Sequence, residues 1–399
     1  MDPDTLRMLL SPMGQDALEA AKELEPREND FLAHFSTLSQ RYPPDLARAA
    51  LEIVILRGEA VRKFPFSEKL YLTRETLEQA SSYEISLYRS ERYQRSSLVG
   101  DLGCSIGADT LALAQVAPTF AIDRDPLRLL LANANLQALN LRGKVVLLQA
   151  DLTSPLPLSS RGKRNSTLAL FFDPSRRSAG RRTFTVHQYQ PPLSVIKDWL
   201  PRIPDLGVKI SPGVDWDELS GYDAEVEFIS LRGELKEAVL WFGSFKTTPR
   251  RATLLPGRHT LTDTHDSHIS MIDRPLSEPL IFLYEPDPAI LRAGLVQHLA
   301  AQLNAAQLDP DIAYLTSNTY IPTPFARGWR VVDWLPFNLK RLRAYLHGRG
   351  VGHVVIKKRG SPLDPVDLIH KLRLQGDQER VIFLTHLRGE PIVVIASEI

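Results

Sequence analysis

The residues Leu98-Val-Gly-Asp-Leu-Gly-Cys-Ser-Ile-Gly-Ala-Asp-Thr110 decide how the rest of the chain is interpreted. Apolar and small residues lead into Asp101, glycines follow at Gly103 and Gly107, and an apolar stretch comes next. This pattern predicts a strand, a tight turn and the start of a helix. Gly103 can adopt the positive φ that such turns need, while Gly107 and the small Ser105 let the backbone approach a ligand. Free N–H groups at the helix start suit a ligand that carries a carboxylate.

The spacing of the glycines distinguishes this turn from the dinucleotide-binding fingerprint G-x-G-x-x-G. Here the glycines stand as G-x-x-x-G, with an acid two residues before the first. The pattern resembles the first motif of class I S-adenosylmethionine-dependent methyltransferases, although that family more often has glycine at the position of Ser105. The resemblance implies S-adenosyl-L-methionine as cofactor, bordered by Asp101, Gly103, Ser105 and Gly107. The alternative is an ordinary strand–helix turn without a ligand.

Length and composition exclude some classes of protein. A chain of 399 residues is long enough for two or three domains, and its 48 basic and 47 acidic residues favour no partner by global charge. A single cysteine, Cys104, excludes an intramolecular disulfide and is usual in a reducing cytosol. No apolar run approaches the roughly 18 residues of a membrane span. We therefore expect a globular cytoplasmic protein without a membrane segment; the sequence does not fix its oligomeric state.

Residues 1–95 are predicted to form an N-terminal helical domain. Asp2 can cap a first helix, Pro44 can begin another and Thr73 can cap a third. Apolar residues recur near the helical period, which indicates packing. The helices are expected to cap the catalytic sheet. The segment 72–83 leads into the first strand, and it either only packs there or also borders the site.

From Ser97 onward, strands alternate with helices, which is typical of a parallel sheet covered on both faces. Acids end three successive strands at Asp101, Asp123 and Asp151. Nucleotide folds place a carboxylate for the ribose hydroxyls about 20 residues after the first turn, and we assign that role to Asp123. In the resembled family the third acid reaches the adenine amino group, which implies this role for Asp151 beside Leu152. Each acid alone is equally consistent with a helix cap or a loop, but three at one sheet edge indicate a cofactor site.

A fourth strand, 168–172, leads into Asp173-Pro-Ser-Arg-Arg177 at the edge where open α/β sheets place their active residues. The position is similar to the fourth motif of methyltransferases acting on amino groups of bases, an Asp or Asn followed by two prolines and an aromatic. Asp173 and Pro174 match; Ser175 and Arg176 replace the second proline and the aromatic. The resemblance implies that Asp173 and a backbone carbonyl accept hydrogen bonds from the acceptor.

Arginines crowd the loop after this motif at Arg176, Arg177, Arg181 and Arg182. Guanidinium groups suit phosphate oxygens, so we expect Arg176 and Arg177 to contact substrate. The alternative is a solvated loop whose arginines pair with nearby acids. His187, which follows, is either a base or a structural residue.

Lys209 stands inside a fifth apolar strand and either pairs with a site carboxylate or reaches along the sheet edge. The runs 225–229 and 237–242 around Arg232-Gly233 predict the last hairpin of a seven-stranded, Rossmann-like methyltransferase sheet. The S-adenosylmethionine-binding domain is therefore expected over 96–244. Residues 245–278 are predicted to be a linker or β-arm.

The linker is rich in possible metal ligands, including His259, Asp263, His265, Asp266 and His268. Their spacing fits no zinc pattern, and we expect no metal.

Residues 279–399 are predicted to form a basic C-terminal α/β domain with a helix from Ala289 to Leu303. From Lys340 to Arg373 the sequence has nine basic and two acidic residues, an excess typical of phosphate binding, and we expect contacts from Lys357, Lys358 and Arg359. The domain resembles the THUMP-like domain that follows a methyltransferase domain in a bacterial family. The resemblance is carried by Tyr284-Glu-Pro-Asp-Pro288, Thr323-Pro-Phe-Ala-Arg327, Leu335-Pro-Phe-Asn-Leu-Lys-Arg341 and Ile356-Lys-Lys-Arg-Gly360.

THUMP domains bind structured RNA, so this likeness implies a tRNA or rRNA partner by analogy of fold. We therefore expect an S-adenosylmethionine-dependent RNA methyltransferase. The alternatives are a methyltransferase acting on a small molecule or protein, and a non-catalytic RNA-binding or ribosome-assembly protein that retains the cofactor fold. If the substrate is a small molecule or a protein, the basic residues are merely solvated.

Overall fold

A computed structural model describes residues 1–154, 167–178, 181–183, 185–263 and 276–399. The chain divides into two compact units. The first contains Met1–Glu225 and Ala238–Thr247, and the second contains Val226–Glu237 and Thr248–Ile399. In the described ranges, no helix is both long and apolar enough to cross a membrane.

The first unit begins with six helices, so the predicted helical region is confirmed, although the sequence identified the starts of only three of them. Asp2 accepts hydrogen bonds from the N–H groups of Asp4 and Thr5, and Thr73 forms a capping box with Thr76. The buried faces of these helices form an apolar core with the first part of the sheet domain. The helices are α1 (Pro3–Leu9), α2 (Pro12–Glu23), α3 (Phe31–Leu38), α4 (Pro44–Ala60), α5 (Arg74–Gln79) and α6 (Tyr83–Ser90).

Strands and helices then alternate. The elements are β1 (Leu98–Leu102), α7 (Thr110–Val116), β2 (Thr119–Asp123), α8 (Pro126–Ala138), β3 (Val145–Gln149), β4 (Leu168–Phe172), β5 (Arg177–Ser178), β6 (Arg181–Arg182), α9 (Ile196–Trp199), β7 (Leu206–Ile210), β8 (Glu225–Leu231) and β9 (Glu234–Trp241).

The sheet of the first unit has the strand order β9-β7-β4-β1-β2-β3. Its strands are parallel except for the Ala238–Trp241 part of β9, which runs antiparallel to β7. Asp125 caps α8 through the N–H groups of Leu127 and Arg128, with Pro126 in the first turn. The predicted Rossmann-like α/β architecture is confirmed, and the parallel order brings the carboxyl ends of β1 to β4 to one edge.

The second unit contains a group of short strands and a seven-stranded sheet. Among the short strands, β8 pairs in parallel with β10 (Arg250–Leu255), which forms a hairpin with β11 (His259–Thr262). The region predicted as a linker or β-arm is thus a β-hairpin up to Thr262.

The seven-stranded sheet has the order β13-β14-β12-β15-β18-β17-β16, and α12 and α13 pack on one face of it. The elements are β12 (Phe282–Pro286), α10 (Pro288–Arg292), α11 (Val296–Gln302), β13 (Ala306–Asp309), β14 (Ile312–Ser317), β15 (Ala326–Pro336), α12 (Leu339–His347), β16 (Val351–Lys358), α13 (Pro365–Leu372), β17 (Gln378–Leu387) and β18 (Glu390–Ser397).

One expectation for this unit is wrong. The sequence predicted a single helix from Ala289 to Leu303, whereas the structure has α10 and α11 with a break between them. Gly294 adopts φ +69° in the break, a left-handed conformation that ends the first helix.

Candidate functional site

A cavity of about 880 Å³ lies at the carboxyl ends of β1 to β4 in the first unit. Its wall comes from the turn after each of these strands, from Lys209 on β7 and from two further segments, one around α5 and one at 190–192. The cavity is large enough for a nucleotide-sized ligand and a second group beside it. It lies at the edge that the sequence predicted.

The turn after β1 has the predicted backbone conformation. Gly103 and Gly107 have φ values of +85° and +82°, and Ser105 between them has +50°. A Cβ atom on Gly103 would lie 2.8 Å from the carbonyl oxygen of Asp173, so only glycine fits there. Gly103 and Ser105 line the cavity, whereas Gly107 does not.

Asp123 is a fixed carboxylate in the cavity wall. Its Oδ2 accepts a hydrogen bond of 2.9 Å from the N–H of Ser105, and its Oδ1 accepts one of 2.9 Å from the N–H of Asp125. The side chain is buried, so the ends of β1 and β2 are held together at this point. Each oxygen retains a lone pair for a ligand hydroxyl.

Asp151 and Leu152 also line the cavity, at the end of β3. Asp151 is exposed, and its Oδ1 accepts hydrogen bonds from the N–H and the hydroxyl of Thr153, which lower the pKa of the carboxyl below its ordinary value. Leu152 is buried and contributes an apolar patch.

Asp101 lies behind the wall and is not among the lining residues. It is 1% exposed, and its Oδ2 accepts a hydrogen bond from the Thr110 hydroxyl. Its Oδ1 is buried with no hydrogen-bond partner in the described part of the chain. Burial first, and the neighbouring Asp109 second, raise the pKa of Asp101 to about 8.

Asp109 is a cavity residue that sequence reasoning missed. Its carboxylate accepts a hydrogen bond of 2.6 Å from the Ser86 hydroxyl and pairs with the buried guanidinium of Arg89. That guanidinium also lies 4.8 Å from the centre of the Phe171 ring. The sequence does not indicate that Arg89 is buried or that it pairs with Asp109, because the two residues are 20 positions apart on different elements.

Asp173 and Pro174 lie in the wall after β4, as predicted. The Lys209 ammonium lies 2.6 Å from Asp173 Oδ2, so of its two predicted arrangements the structure shows the ion pair. The side chain of Lys209 is 3% exposed and that of Asp173 is 23% exposed. The carboxylate therefore offers its second oxygen to the cavity while the lysine fixes the first.

Arg176 lines the same cavity, and its buried Nη1 has no hydrogen-bond partner among the described residues. The side chains of Arg177, Arg181 and Arg182 lie outside the described residues. His187 is exposed and does not line the cavity.

Of the two alternatives for the segment 72–83, the structure shows that it borders the site, through Glu75, Glu78, Gln79 and Ala80. Lys63 holds it in place, because its ammonium donates to the carbonyl oxygens of Leu77, Glu78 and Ala80 at 2.6, 3.2 and 2.9 Å.

The basic residues predicted on β16 and just after it, in the second unit, have different surroundings from one another. Lys357 pairs with Glu285 at 2.5 Å, and Arg359 lies 3.8 Å from the same carboxylate. Lys358 is exposed and donates to the Leu363 carbonyl at 3.0 Å. Lys357 and Arg359 therefore share a single acid, Glu285.

Within the described ranges, no group of three or more His, Cys, Asp or Glu residues could hold a metal ion. His265, Asp266 and His268 lie outside those ranges.

Two family models match the chain. One, described as THUMP domain-like, covers residues 326–398, and the other, a domain of unknown function, covers residues 2–60. Proteins from two strains of Mycobacterium tuberculosis, both named as uncharacterised S-adenosylmethionine-dependent methyltransferases, are 34% identical over 335 residues, which is 83% of this chain and 88% of theirs. A crystal structure of a candidate methyltransferase from Porphyromonas gingivalis aligns with a TM-score of 0.75 and 24% identity, over 94% of this chain and 99% of that one. This last likeness shows the fold.

Proposed function

The chain belongs to the family of S-adenosylmethionine-dependent methyltransferases, and from this premise we propose that it methylates a structured RNA, a tRNA or an rRNA. The match to a THUMP domain-like model over residues 326–398 carries the choice of RNA. The excess of basic residues in the same part of the sequence supports it. The proposal places the enzyme in the cytoplasm, where such RNA is found.

The residues of the cavity fit the cofactor of the family. When bound, S-adenosylmethionine supplies an electrophilic methyl group on a sulfonium. Ser105 offers a buried hydroxyl oxygen without a hydrogen-bond partner among the described residues, and Gly103 leaves the backbone of the turn open. Asp123 would accept from the ribose hydroxyls and Asp151 from the adenine amino group. Asp101 and Gly107 would support the turn from behind the wall.

Asp173 would orient the acceptor. Because Lys209 holds one carboxylate oxygen, the other is available to accept a hydrogen bond from an N–H or O–H group of the substrate. Pro174 restricts the backbone after Asp173 and so limits how far the carboxylate can move. Methyl transfer needs chiefly alignment in a dry site, which a fixed acceptor provides.

The basic residues would hold the RNA backbone. Arg176 lines the cavity, which supports its contact with a phosphate oxygen, and Arg177 is the next candidate in the same loop. In the second unit Lys358 is exposed and would bind a phosphate directly. Lys357 and Arg359 share the single negative charge of Glu285, so together they would contribute less than two free cations.

The test is transfer of a labelled methyl group from S-adenosylmethionine to total RNA from cells that lack the gene. We expect label in one RNA species, and we expect Asp173→Ala to abolish it while calorimetry still detects S-adenosylhomocysteine binding. Label in a small metabolite or protein fraction, with none in RNA, contradicts the RNA proposal. RNA binding without transfer to any acceptor would indicate a non-catalytic role.

A further inference from the structure

The helices α12 and α13 of the second unit each have one buried face and one outward face. Leu342 and Leu346 of α12 and Leu368 and Leu372 of α13 pack into the core above β16 to β18. Lys340, Arg341, Lys371 and Arg373 are exposed. We propose, on the basis of the proposed function, that these four cations form the surface that binds the RNA backbone, named here the α12–α13 surface.

Side-chain contacts bring the two helices together at the carboxyl end of α13. Arg343 donates to the carbonyl oxygen of Lys371, and His347 Nε2 lies 3.2 and 2.8 Å from the carbonyl oxygens of Leu372 and Arg373. Basic residues that are about 30 positions apart in the sequence therefore share one surface. Arg349, whose guanidinium stacks 3.6 Å from the centre of the Tyr345 ring, adds a planar cation after the end of α12.

Within the described ranges these four cations have no ion-pair partner. In this they differ from Lys357, which pairs with Glu285. The two acids of the region lie at the other end of α13, where Asp364 accepts from the N–H groups of Val366 and Asp367. The positive potential is therefore concentrated where the two helices meet.

Nucleic-acid phosphates are the occupant that this surface fits. Phosphates repeat along a chain at separations that several fixed cations on two helices can match, and release of their counterions drives binding. According to this proposal, the main contact with the phosphates is made by the two helices. Lys357 and Arg359, which share the acid Glu285, contribute less.

The test measures binding of fluorescently labelled bulk tRNA to the full chain over a range of salt concentrations. The variant carries Lys340→Gln, Arg341→Gln and Lys371→Gln. A matched control, Lys22→Gln, Arg62→Gln and Lys69→Gln, removes the same charge from exposed positions of the first unit. Circular dichroism and melting temperature confirm that both variants are folded.

We expect the α12–α13 variant to bind tRNA at least tenfold more weakly than wild type. Its slope of log affinity against log salt should be smaller by about 2, since each lost phosphate contact contributes roughly 0.7–0.9. The control should match wild type. Equal loss in both variants indicates a response to net charge alone and contradicts the proposal.

If the α12–α13 variant binds and methylates RNA as wild type does, the surface is wrong and the RNA substrate stands. If wild type neither binds nor methylates any RNA, the proposed function fails as well. Binding to phosphatidylglycerol vesicles but not to tRNA would assign the surface to a membrane and overturn the inference.

Discussion

Lys209 Nζ lies 2.6 Å from Asp173 Oδ2, so the middle of β7 is joined to the residue that directly follows β4. A lysine that is 3% exposed needs such a partner, because an unpaired ammonium in the protein interior has a high desolvation cost. The pair fixes one oxygen of the candidate catalytic carboxylate. The position of this carboxylate is therefore set by a strand of the sheet.

The first prediction concerns the strength of this pair. In a double-mutant cycle of Lys209→Met and Asp173→Asn, we expect a coupling free energy of about 1–3 kcal/mol from urea unfolding, because the lysine is buried and the carboxylate is only partly solvated. The control pair, Lys236 with Glu234, has side chains that are 39% and 74% exposed, and its coupling should be at most about 1 kcal/mol. Equal couplings for the two pairs would show that burial does not strengthen the first.

The second prediction is a pH dependence due to Asp101. The pKa of this carboxyl is about 8 in the folded protein against an ordinary 3.8, so between these values the folded chain keeps a proton that the unfolded chain has lost. The free energy of unfolding should therefore fall as pH rises from 4 to 8, by up to about 1.4 kcal/mol per pH unit. Above pH 8 this contribution to the slope ends.

Asp101→Asn should remove this part of the slope, since asparagine stays neutral and can still accept from Thr110. Urea unfolding at pH 5, 6.5 and 8 measures it. Asp151→Asn is the control, because that exposed carboxyl has a lowered pKa and titrates below the range. Parallel stability curves for wild type and Asp101→Asn would contradict the prediction.

The third prediction concerns Asn135, which joins the N-terminal helices to the turn after β1. Its Nδ2 donates to the carbonyl oxygens of Tyr71 and Ile106 at 3.2 and 3.0 Å, and its Oδ1 accepts from the Tyr71 N–H at 2.7 Å. Asn135→Leu keeps the volume but leaves these buried groups unpaired, so we expect a loss of about 2–5 kcal/mol in unfolding free energy. Asn133→Leu, two residues earlier and only half-buried, should cost less than about 1 kcal/mol.

Because Ile106 lies in the cavity wall, Asn135→Leu should also weaken S-adenosylhomocysteine binding. Normal affinity and stability in this variant would show that the helical region is not coupled to the turn.

The strands of the first unit were predictable because each is a short apolar run that ends in a polar turn. The predicted bounds 168–172 match β4, and the positive φ of Gly103 follows from the turn that it forms. The chain order of strands and helices was therefore enough to place Asp123, Asp151 and Asp173 at one cavity.

The partners of buried charges were not predictable in the same way. Arg89 and Asp109 belong to different elements, and only packing brings them together. The same holds for Glu285, which lies 72 residues before Lys357 and offsets its charge. In the region of α10 and α11, local helix propensity favoured one continuous helix. Gly294 instead adopts a left-handed conformation, which ends α10 before α11 begins.

The fourth prediction tests the cofactor contact of Asp123. We expect Asp123→Ala to weaken S-adenosylhomocysteine binding at least tenfold by calorimetry, because it removes a buried carboxylate that also holds the N–H of Ser105. Asp151→Ala should have a smaller effect, since that side chain is exposed and solvated. Unchanged binding in Asp123→Ala would exclude it from the ribose site.

The fifth prediction concerns Ser105, which adopts φ +50° where the resembled family more often has glycine. A left-handed conformation costs a non-glycine residue roughly 1–2 kcal/mol, which glycine avoids. Glycine loses more conformational entropy on folding, and this loss cancels part of the gain. Ser105→Gly should therefore stabilise the protein by about 0.5–1 kcal/mol. Ser105→Ala keeps the strain and should change stability by less than about 0.5 kcal/mol, because the buried hydroxyl has no hydrogen-bond partner among the described residues.

Cofactor affinity separates strain from direct contact at the same position. If the Ser105 hydroxyl binds the ligand, both variants should lose affinity for S-adenosylhomocysteine to the same extent, since both lack the oxygen. If only the backbone of the turn matters, both should bind as wild type does, and only Ser105→Gly should melt at a higher temperature. A Ser105→Gly protein that is less stable than wild type would contradict the assignment of strain to this residue.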